Sequence, residues 1–551
     1  MCISWIRYES SERGLSMNHL NSGQLEAVNS TSKKILCLAG AGTGKTHTMI
    51  ERISRIASEE NPESILALTF TNAAAFEMKE RYIKRNPGKR VPEFRTFHGF
   101  CYSVICRNSS VRTKLRYSTV PSICTEAQVK QIETRARLEL NIKLSSNKLN
   151  GKTPVTDPRE LFYLNAFKKR VDQIMKTEGL ITFDQLCYDV CRLFVEDEEC
   201  IKNIKSMIHY IFVDEFQDTD PRQWEFVKSF DNADIFIVGD ALQALYAFRG
   251  ADSSIIKSLS SDESFQVIRL TENYRSGKEI VAFANKQSSY ADEKYRVKMV
   301  PVRDGGSVRI YPSTSIMYSD IIGQDNMMQI VSELEDTNTK GTSAILCRTN
   351  KEVDAVKDYL TGHLIPFRET SSNDVYEKVL RSVKDSKFMI DWLSTLLPSD
   401  IYARYLRATI GSDVDPYILF VSDFLVTYEI RKYFELIRKV RYVFFEPISK
   451  NSMAEKILRL FKCNSAPCRD ITDDIDSSSL IDVILETIKR NEDSEVYVGT
   501  IHSAKGLEYN NVFLLNVGGY YFRLTNEDNL NLYYVGITRA RDNLVIFKSE
   551  D

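Results

Sequence analysis

Long apolar runs are missing from this 551-residue chain. None approaches the roughly 18 residues that a membrane-spanning helix needs. Residues 1–16 mix Arg7, Glu9, Glu12 and Arg13, which excludes a secretory signal there and makes the cytoplasm the expected location. An excess of one charge is also missing: 73 Lys and Arg stand against 75 Asp and Glu, for a net charge of −2. A generally basic coat is excluded, so any nucleic-acid contact must follow a local channel. Histidines number only six, and the eleven cysteines are scattered. Cys187-x3-Cys191 and Cys463-x4-Cys468 lack the usual zinc spacings and no histidine cluster joins them, so reduced, mostly buried thiols are expected. No solenoid-type repeat is visible. What remains is ordinary globular composition, 43% hydrophobic and 27% charged, at a length that suggests about three or four domains.

Short β-branched or aromatic runs alternate with helical patterns, as in parallel sheets with crossover helices. One set of strands is expected over 35–38, 65–69, 208–213, 235–238 and 267–270. A second is expected over 308–311, 344–347, 496–498, 512–515 and 544–547. The fold class is therefore α/β, with two parallel-sheet domains each interrupted by a helical stretch. The first interruption, from about 106 to 180, is rich in Lys and Arg and densest at Lys168-Lys169-Arg170, a pattern usual for a solvated helix face. The second, from about 375 to 493, interleaves Tyr, Phe and Arg around 431–434 and 441–445, which fits a core stripe or a nucleic-acid face.

Chemistry concentrates first in Ala39-Gly40-Ala41-Gly42-Thr43-Gly44-Lys45-Thr46, between an apolar run and a helical one opened by His47. The strict pattern has Gly at position 39, and this chain has Ala. A glycine-rich loop at a helix N-terminus can wrap a phosphate in backbone N–H groups. Lys45 would reach the β- and γ-phosphates of ATP, and Thr46 would hold Mg²⁺. Val213-Asp214-Glu215-Phe216-Gln217-Asp218 then ends an apolar strand. Adjacent carboxylates there suit metal-assisted phosphoryl chemistry, with Asp214 on Mg²⁺ through water and Glu215 deprotonating the attacking water.

With these two motifs, further stretches fall in the order of a superfamily 1 helicase of the UvrD/Rep class, which the chain resembles over nearly its whole length. Leu20-Asn21-Ser22-Gly23-Gln24 resembles the glutamine motif, and Ala39 is itself usual in that family. Thr69-Phe70-Thr71-Asn72 and Thr96-Phe97-His98-Gly99 resemble single-strand contact motifs. Ile181-Thr182-Phe183-Asp184 resembles the re-entry into the first ATPase domain. Motifs III to VI are matched by 238–251, Leu270-Thr271-Glu272-Asn273-Tyr274-Arg275-Ser276, 500–508 and 534–540.

The resemblance implies two RecA-like P-loop domains and the following roles. Gln24 reads adenine, Tyr274 stacks on it, and Glu508 accepts from the ribose. Gln243 senses the γ-phosphate or the attacking water. Arg275 and Arg539 meet charge on the transferred phosphoryl group, a task suited to a permanently charged, bidentate guanidinium. ATP is expected between the two domains. Single-stranded DNA is expected on Phe70, Thr71, Asn72, Phe97, His98, Tyr246, Phe248, Arg249 and His502, through stacking and backbone contacts that do not read sequence. Phe248 replaces the family's usual tryptophan, and Ala241-Leu242 replaces acidic residues.

The expected domains are an extension at 1–16, a first RecA-like domain at 17–105 and 181–275, an inserted helical subdomain at 106–180, a second RecA-like domain at 276–374 and 494–551, and a reduced accessory subdomain at 375–493. The extension carries no periodicity and Met17 directly precedes the glutamine motif, so 1–16 are expected to be dispensable. The resemblance implies an ATP-driven 3′–5′ single-stranded-DNA translocase and helicase acting at duplex junctions. Two alternatives remain open. The short accessory segment and the absence of sequence beyond motif VI resemble the compact UvrD-like helicase of Gabija-type anti-phage systems, a DNA-stimulated ATPase subunit beside an OLD-family Toprim nuclease. A nucleotide-gated scaffold with little turnover is the other.

Overall fold

The computed structural model describes residues 20–149, 153–313, 323–335, 341–363, 365–368 and 494–549. The extension at 1–16 and the accessory segment at 375–493 lie outside the described residues. The chain divides into two compact units, one of residues 1–273 with 290–300 and one of 274–289 with 301–551.

The first unit is built on six parallel strands: β1 (Lys34–Ala39), β2 (Ile65–Thr69), β3 (Glu93–Thr96), β4 (Tyr210–Val213), β5 (Asp234–Gly239) and β6 (Gln266–Leu270). Their order is β3-β2-β4-β5-β1-β6. The inner strands are apolar on both faces because helices cover both, as parallel sheets require. One core, with Leu36, Leu68 and Val213, packs under helices Phe97–Arg107 and Phe183–Glu196; the other, with Ile35, Ala67 and Val238, packs under helix Lys45–Glu59. Five strands fall where the sequence pattern puts them. β3 was not anticipated, because its Glu93 and Arg95 alternate with Phe94 and Thr96 at the sheet's edge and break the apolar run.

The insert between β3 and β4 carries helices Glu126–Glu139 and Pro158–Thr177 over a separate small core that includes Ile132, Ala136, Leu164 and Phe167. That core begins at Cys124; Val111, Leu115 and Tyr117 pack instead with the first unit's main core. Lys168 and Lys169 are exposed, and Arg170 pairs with Glu139 at 2.6 Å, so this run is a solvated helix face.

The second unit holds β7 (Ser307–Pro312), β8 (Ser343–Cys347), β9 (Val496–Thr500), β10 (Tyr509–Val517) and β11 (Ala540–Lys548) in the order β7-β11-β10-β8-β9, all parallel. Each of the five strands expected there is present. Among the described residues no helix is long and apolar enough to cross a membrane.

Candidate nucleotide and nucleic-acid site

The phosphate loop leaves the carboxyl end of β1. Gly42 and Gly44 have φ of 68° and 82°, a left-handed backbone that suits glycine. Gly44 is also the N-cap of helix Lys45–Glu59 and brings no capping side chain, so the first-turn N–H groups face outward for an anion. Ala39 and Ala41 are buried and His47 is exposed. Three side chains brace the loop. Thr43 Oγ1 donates to the Gly40 carbonyl (2.8 Å), Gln24 Nε2 to the Thr43 carbonyl (3.2 Å), and Asn273 Nδ2 to the Ala41 carbonyl (2.6 Å). The other end of the Gln24 amide accepts from Asn21 N–H in a capping box. Arg52, on the loop's helix, donates to the carbonyls of Ala27, Val28 and Ser30 and so ties the glutamine motif to that helix.

Asp214 and Glu215 follow β4, where the sequence puts them. Lys45 Nζ lies 3.5 Å from Glu215 Oε2 and is buried with no hydrogen-bond partner. A buried ammonium with unfilled donors fits a phosphate oxygen. Thr46 Oγ1 donates to Asp214 Oδ2 at 3.4 Å, so the two expected Mg²⁺ ligands are together, and hydroxyl plus carboxylate is the hard-oxygen set that this ion takes. Burial pushes the Asp214 carboxyl up to about 7; Glu215 adds to the effect, while Lys45 and Thr46 oppose it. A divalent cation would relieve that repulsion.

Glu215 is held in the left-handed region, at φ 50°, where non-glycine residues rarely sit. A polar strut behind it was not anticipated. Gln217, fully buried, donates its amide N–H to Glu215 Oε2 and accepts from the Asp240 N–H at 3.0 Å. Asp240 in turn accepts from Gln243 Nε2 at 2.8 Å. Burial raises the Asp240 carboxyl, against the pull of Lys45 and Gln243. Gly239 makes room for the strut, since a Cβ there would stand 2.7 Å from Gln217 Oε1.

In the second unit an arginine cluster surrounds one carboxylate. Arg275 Nε donates to Glu508 Oε2 at 2.7 Å and Arg541 Nη1 to Glu508 Oε1 at 3.0 Å. Burial would raise the Glu508 carboxyl, but Arg275, Arg541 and Arg539 outweigh it and hold it below its usual range. Arg539 is buried, with its guanidinium on the carbonyls of Val535 and Leu507 and on Thr538 Oγ1. Arg541 Nε is buried without a partner. Three guanidiniums around one carboxylate leave net positive charge for an anion. Tyr274 is half-buried on strand Glu272–Gly277.

Of the expected nucleic-acid residues, Phe70 and Tyr246 stack at 5.1 Å and 14°, and Phe248 meets Tyr246 edge-on at 6.0 Å. Phe248 is 71% exposed and caps this aromatic row. Phe70, Tyr246 and His98 line one cleft of about 420 Å³. Thr71 caps helix Asn72–Arg85 through Ala74 N–H, beside an exposed Asn72. Arg249 lies in the short helix Ala247–Arg249. Phe97 is a correction. It is 5% exposed and packs edge-on to Phe226, so its ring is a core contact rather than a stacking face. The cause is the side-chain direction at the start of helix Phe97–Arg107, which turns Phe97 onto the sheet and leaves His98 to the cleft. In the second unit, burial pushes the His502 imidazole down to about 4, with Arg348 and Lys505 assisting.

Gln217 and Asn273 lie inside recognisable motifs, but nothing in their spacing announces which partner each holds. Arg541 stands two residues past Arg539, and same-side alternation could have drawn attention to it.

Comparison with known proteins gives the same family at both ends of the chain. The model of the UvrD/REP helicase N-terminal domain matches residues 20–264, and that of the UvrD-like helicase C-terminal domain matches residues 429–551. The chain is 25% identical to the ATP-dependent DNA helicase PcrA of Staphylococcus aureus, over 96% of this chain and 83% of that protein. It is equally similar to the PcrA of Staphylococcus epidermidis, with the same coverage. The phosphate loop, the carboxylate pair and these matches converge: the chain belongs to the UvrD/Rep-like helicases of superfamily 1A.

Proposed function

We propose that this protein is an ATP-driven DNA helicase that translocates 3′–5′ on single-stranded DNA in the cytoplasm. The observation that carries the reading is the buried Lys45 Nζ, ion-paired with Glu215 but with no hydrogen-bond partner, beside the Asp214–Glu215 pair. The loop from Ala39 to His47 binds the triphosphate, and Gln24 and Tyr274 hold the adenine. Glu508 receives the ribose once it exchanges one of its arginine partners. Thr46 and Asp214 would hold Mg²⁺, which when bound neutralises charge on the phosphates. Glu215 takes the proton of the attacking water, and Gln243 relays the state of the γ-phosphate through Asp240 and Gln217. Arg275 and Arg539 meet the charge that develops on the transferred phosphoryl group. The aromatic row of Phe70, Tyr246 and Phe248, with Thr71, Asn72, His98, Arg249 and His502, grips the strand. The domain assignment that goes with this reading is two RecA-like domains at 17–105 with 181–275 and at 276–374 with 494–551, and inserts at 106–180 and 375–493.

The test has two parts. ATPase rate is measured with and without single-stranded DNA, and strand displacement is measured on duplexes with a 3′ or a 5′ tail. DNA-stimulated turnover and displacement from the 3′ tail are expected. Glu215→Gln should keep nucleotide binding and lose about 10²–10⁴ in turnover. A wild-type rate in that variant overturns the assignment of Glu215, and displacement only from 5′ tails overturns the polarity. The reading of the chain as a subunit beside an OLD-family nuclease rests on length and layout alone. It predicts ATPase without strand displacement by the isolated chain, and a scaffold predicts neither.

A further inference from the structure

Three cysteines from two helices remote in sequence meet in the first unit. Cys187 and Cys191 stand one turn apart on helix Phe183–Glu196. Cys101 comes from helix Phe97–Arg107, which packs against it. Their Sγ atoms all lie within 4.8 Å of one another, and those of Cys187 and Cys191 are 3.8 Å apart. All three are buried, yet Cys187 reaches the wall of the cleft that Phe70, His98 and Tyr246 also line.

Thiol packing, a disulfide and a bound ion are the three uses of such a group. A disulfide needs Cβ atoms about 3.5–4.5 Å apart, whereas helix positions four apart hold them at about 5–6 Å. Cys187 and Cys191 therefore cannot join without unwinding their turn. A metal ion has a different requirement. Thiolates about 2.3 Å from a tetrahedral ion stand about 3.8 Å from each other, which is the spacing of these two sulfurs. The third sulfur, Cys101 Sγ, stands within 4.8 Å of both, on the neighbouring helix.

We propose that Cys101, Cys187 and Cys191 form a three-thiolate site for a soft divalent cation of the zinc class, whose fourth position opens on the cleft where His98 stands. Bound there, the ion pins the helix that carries His98 to the helix by which the chain re-enters the first unit. Binding exchanges thiol protons for the ion, so uptake weakens as pH falls. The sequence hides the site because the third ligand comes from a distant helix, and because Cys-x3-Cys resembles no zinc spacing by itself.

The reduced, chelator-treated full-length chain is titrated with Co²⁺. About one ion per chain should bind, with thiolate-to-cobalt charge-transfer bands and the d–d bands of tetrahedral cobalt, and Zn²⁺ should displace it. Cys187→Ser and Cys191→Ser should each weaken uptake by more than the ~10–100-fold typical of a lost outer-shell partner. Cys347→Ser, in the other unit, should not. A readout in the wild-type chain stands beside these variants: Zn²⁺ should protect Cys101, Cys187 and Cys191 from alkylation, mapped by mass spectrometry, while Cys106 and Cys200 stay reactive. No cobalt uptake, uptake unchanged in the cysteine variants, absence of protection, or a disulfide from Cys101 in place of the ion overturns the proposal.

Discussion

Gln217 is the residue whose replacement separates positioning from folding most cleanly. In Gln217→Leu the apolar side chain keeps the volume and loses both hydrogen bonds. The Asp240 N–H is then a buried donor without its acceptor, which costs about 1–3 kcal/mol of stability. Glu215 keeps its backbone conformation and its ion pair with Lys45 but loses the amide that fixes its Oε2. A displaced catalytic group typically loses about 10²-fold per ångström. We therefore expect turnover to fall roughly 10–100-fold, below the full general-base loss of about 10²–10⁴. KM for ATP should move little, because Thr43, Gln24 and Asn273 still brace the loop and Lys45 is untouched. Steady-state ATPase at saturating single-stranded DNA, with urea unfolding of the same samples, reads both quantities. The double variant with Glu215→Gln gives the sharper comparison, since residues acting as one unit are not additive. In that background Gln217→Leu should lower stability and barely lower turnover further. Turnover within about threefold of wild type, or fully additive losses, would refute the strut. Gly239→Ala approaches the same point from the other side, because its Cβ would stand 2.7 Å from Gln217 Oε1.

Arg539→Ala should lower turnover by about 10³–10⁵ and nucleotide affinity far less, with Lys a poor substitute for the planar fork; turnover within a few-fold of wild type, at matched folding, removes Arg539 from the chemistry. Phe248→Ala should weaken single-stranded-DNA binding by about 1–3 kcal/mol, the range for one stacked base, and leave the salt slope unchanged because no phosphate contact is lost. Fluorescence anisotropy across salt concentrations checks it, and an unchanged affinity counts against the aromatic row. His502 supplies a pH test. Its folded imidazole titrates near 4 against an ordinary 6.5, so between these values the unfolded chain binds more protons and stability should fall as pH falls. Across that window the melting temperature of the wild type should fall relative to that of His502→Phe as pH falls; parallel curves contradict the burial of a neutral ring.

Much of the site was legible because phosphate chemistry is local in sequence. A strand, a glycine-rich loop and a helix N-terminus are contiguous, so residues 39–47 declare their backbone. The Asp214–Glu215 pair was legible for the same reason, since an apolar run ending in carboxylates puts them at a strand's carboxyl end. Phe97 was read wrongly because motif spacing says nothing of which neighbour in a helix's first turn faces the core. Gln217 gave no warning, since its partners lie on a separate strand end and on the residue two places before it.

The sequence alone determined the α/β class, ten of the eleven strands of the two large sheets and the places of the glycine-rich loop and the carboxylate pair at strand ends, because periodicity and loop chemistry act over a few residues. Tertiary structure decided what depends on distance through space. It joined Glu215 to Gln243 through Gln217 and Asp240, gathered Arg275, Arg539 and Arg541 about Glu508, sent Phe97 inward, and brought Cys101 to Cys187 and Cys191. Each of these rests on packing between elements remote in the chain, where one face of a helix or one end of a strand is chosen by what it can bury.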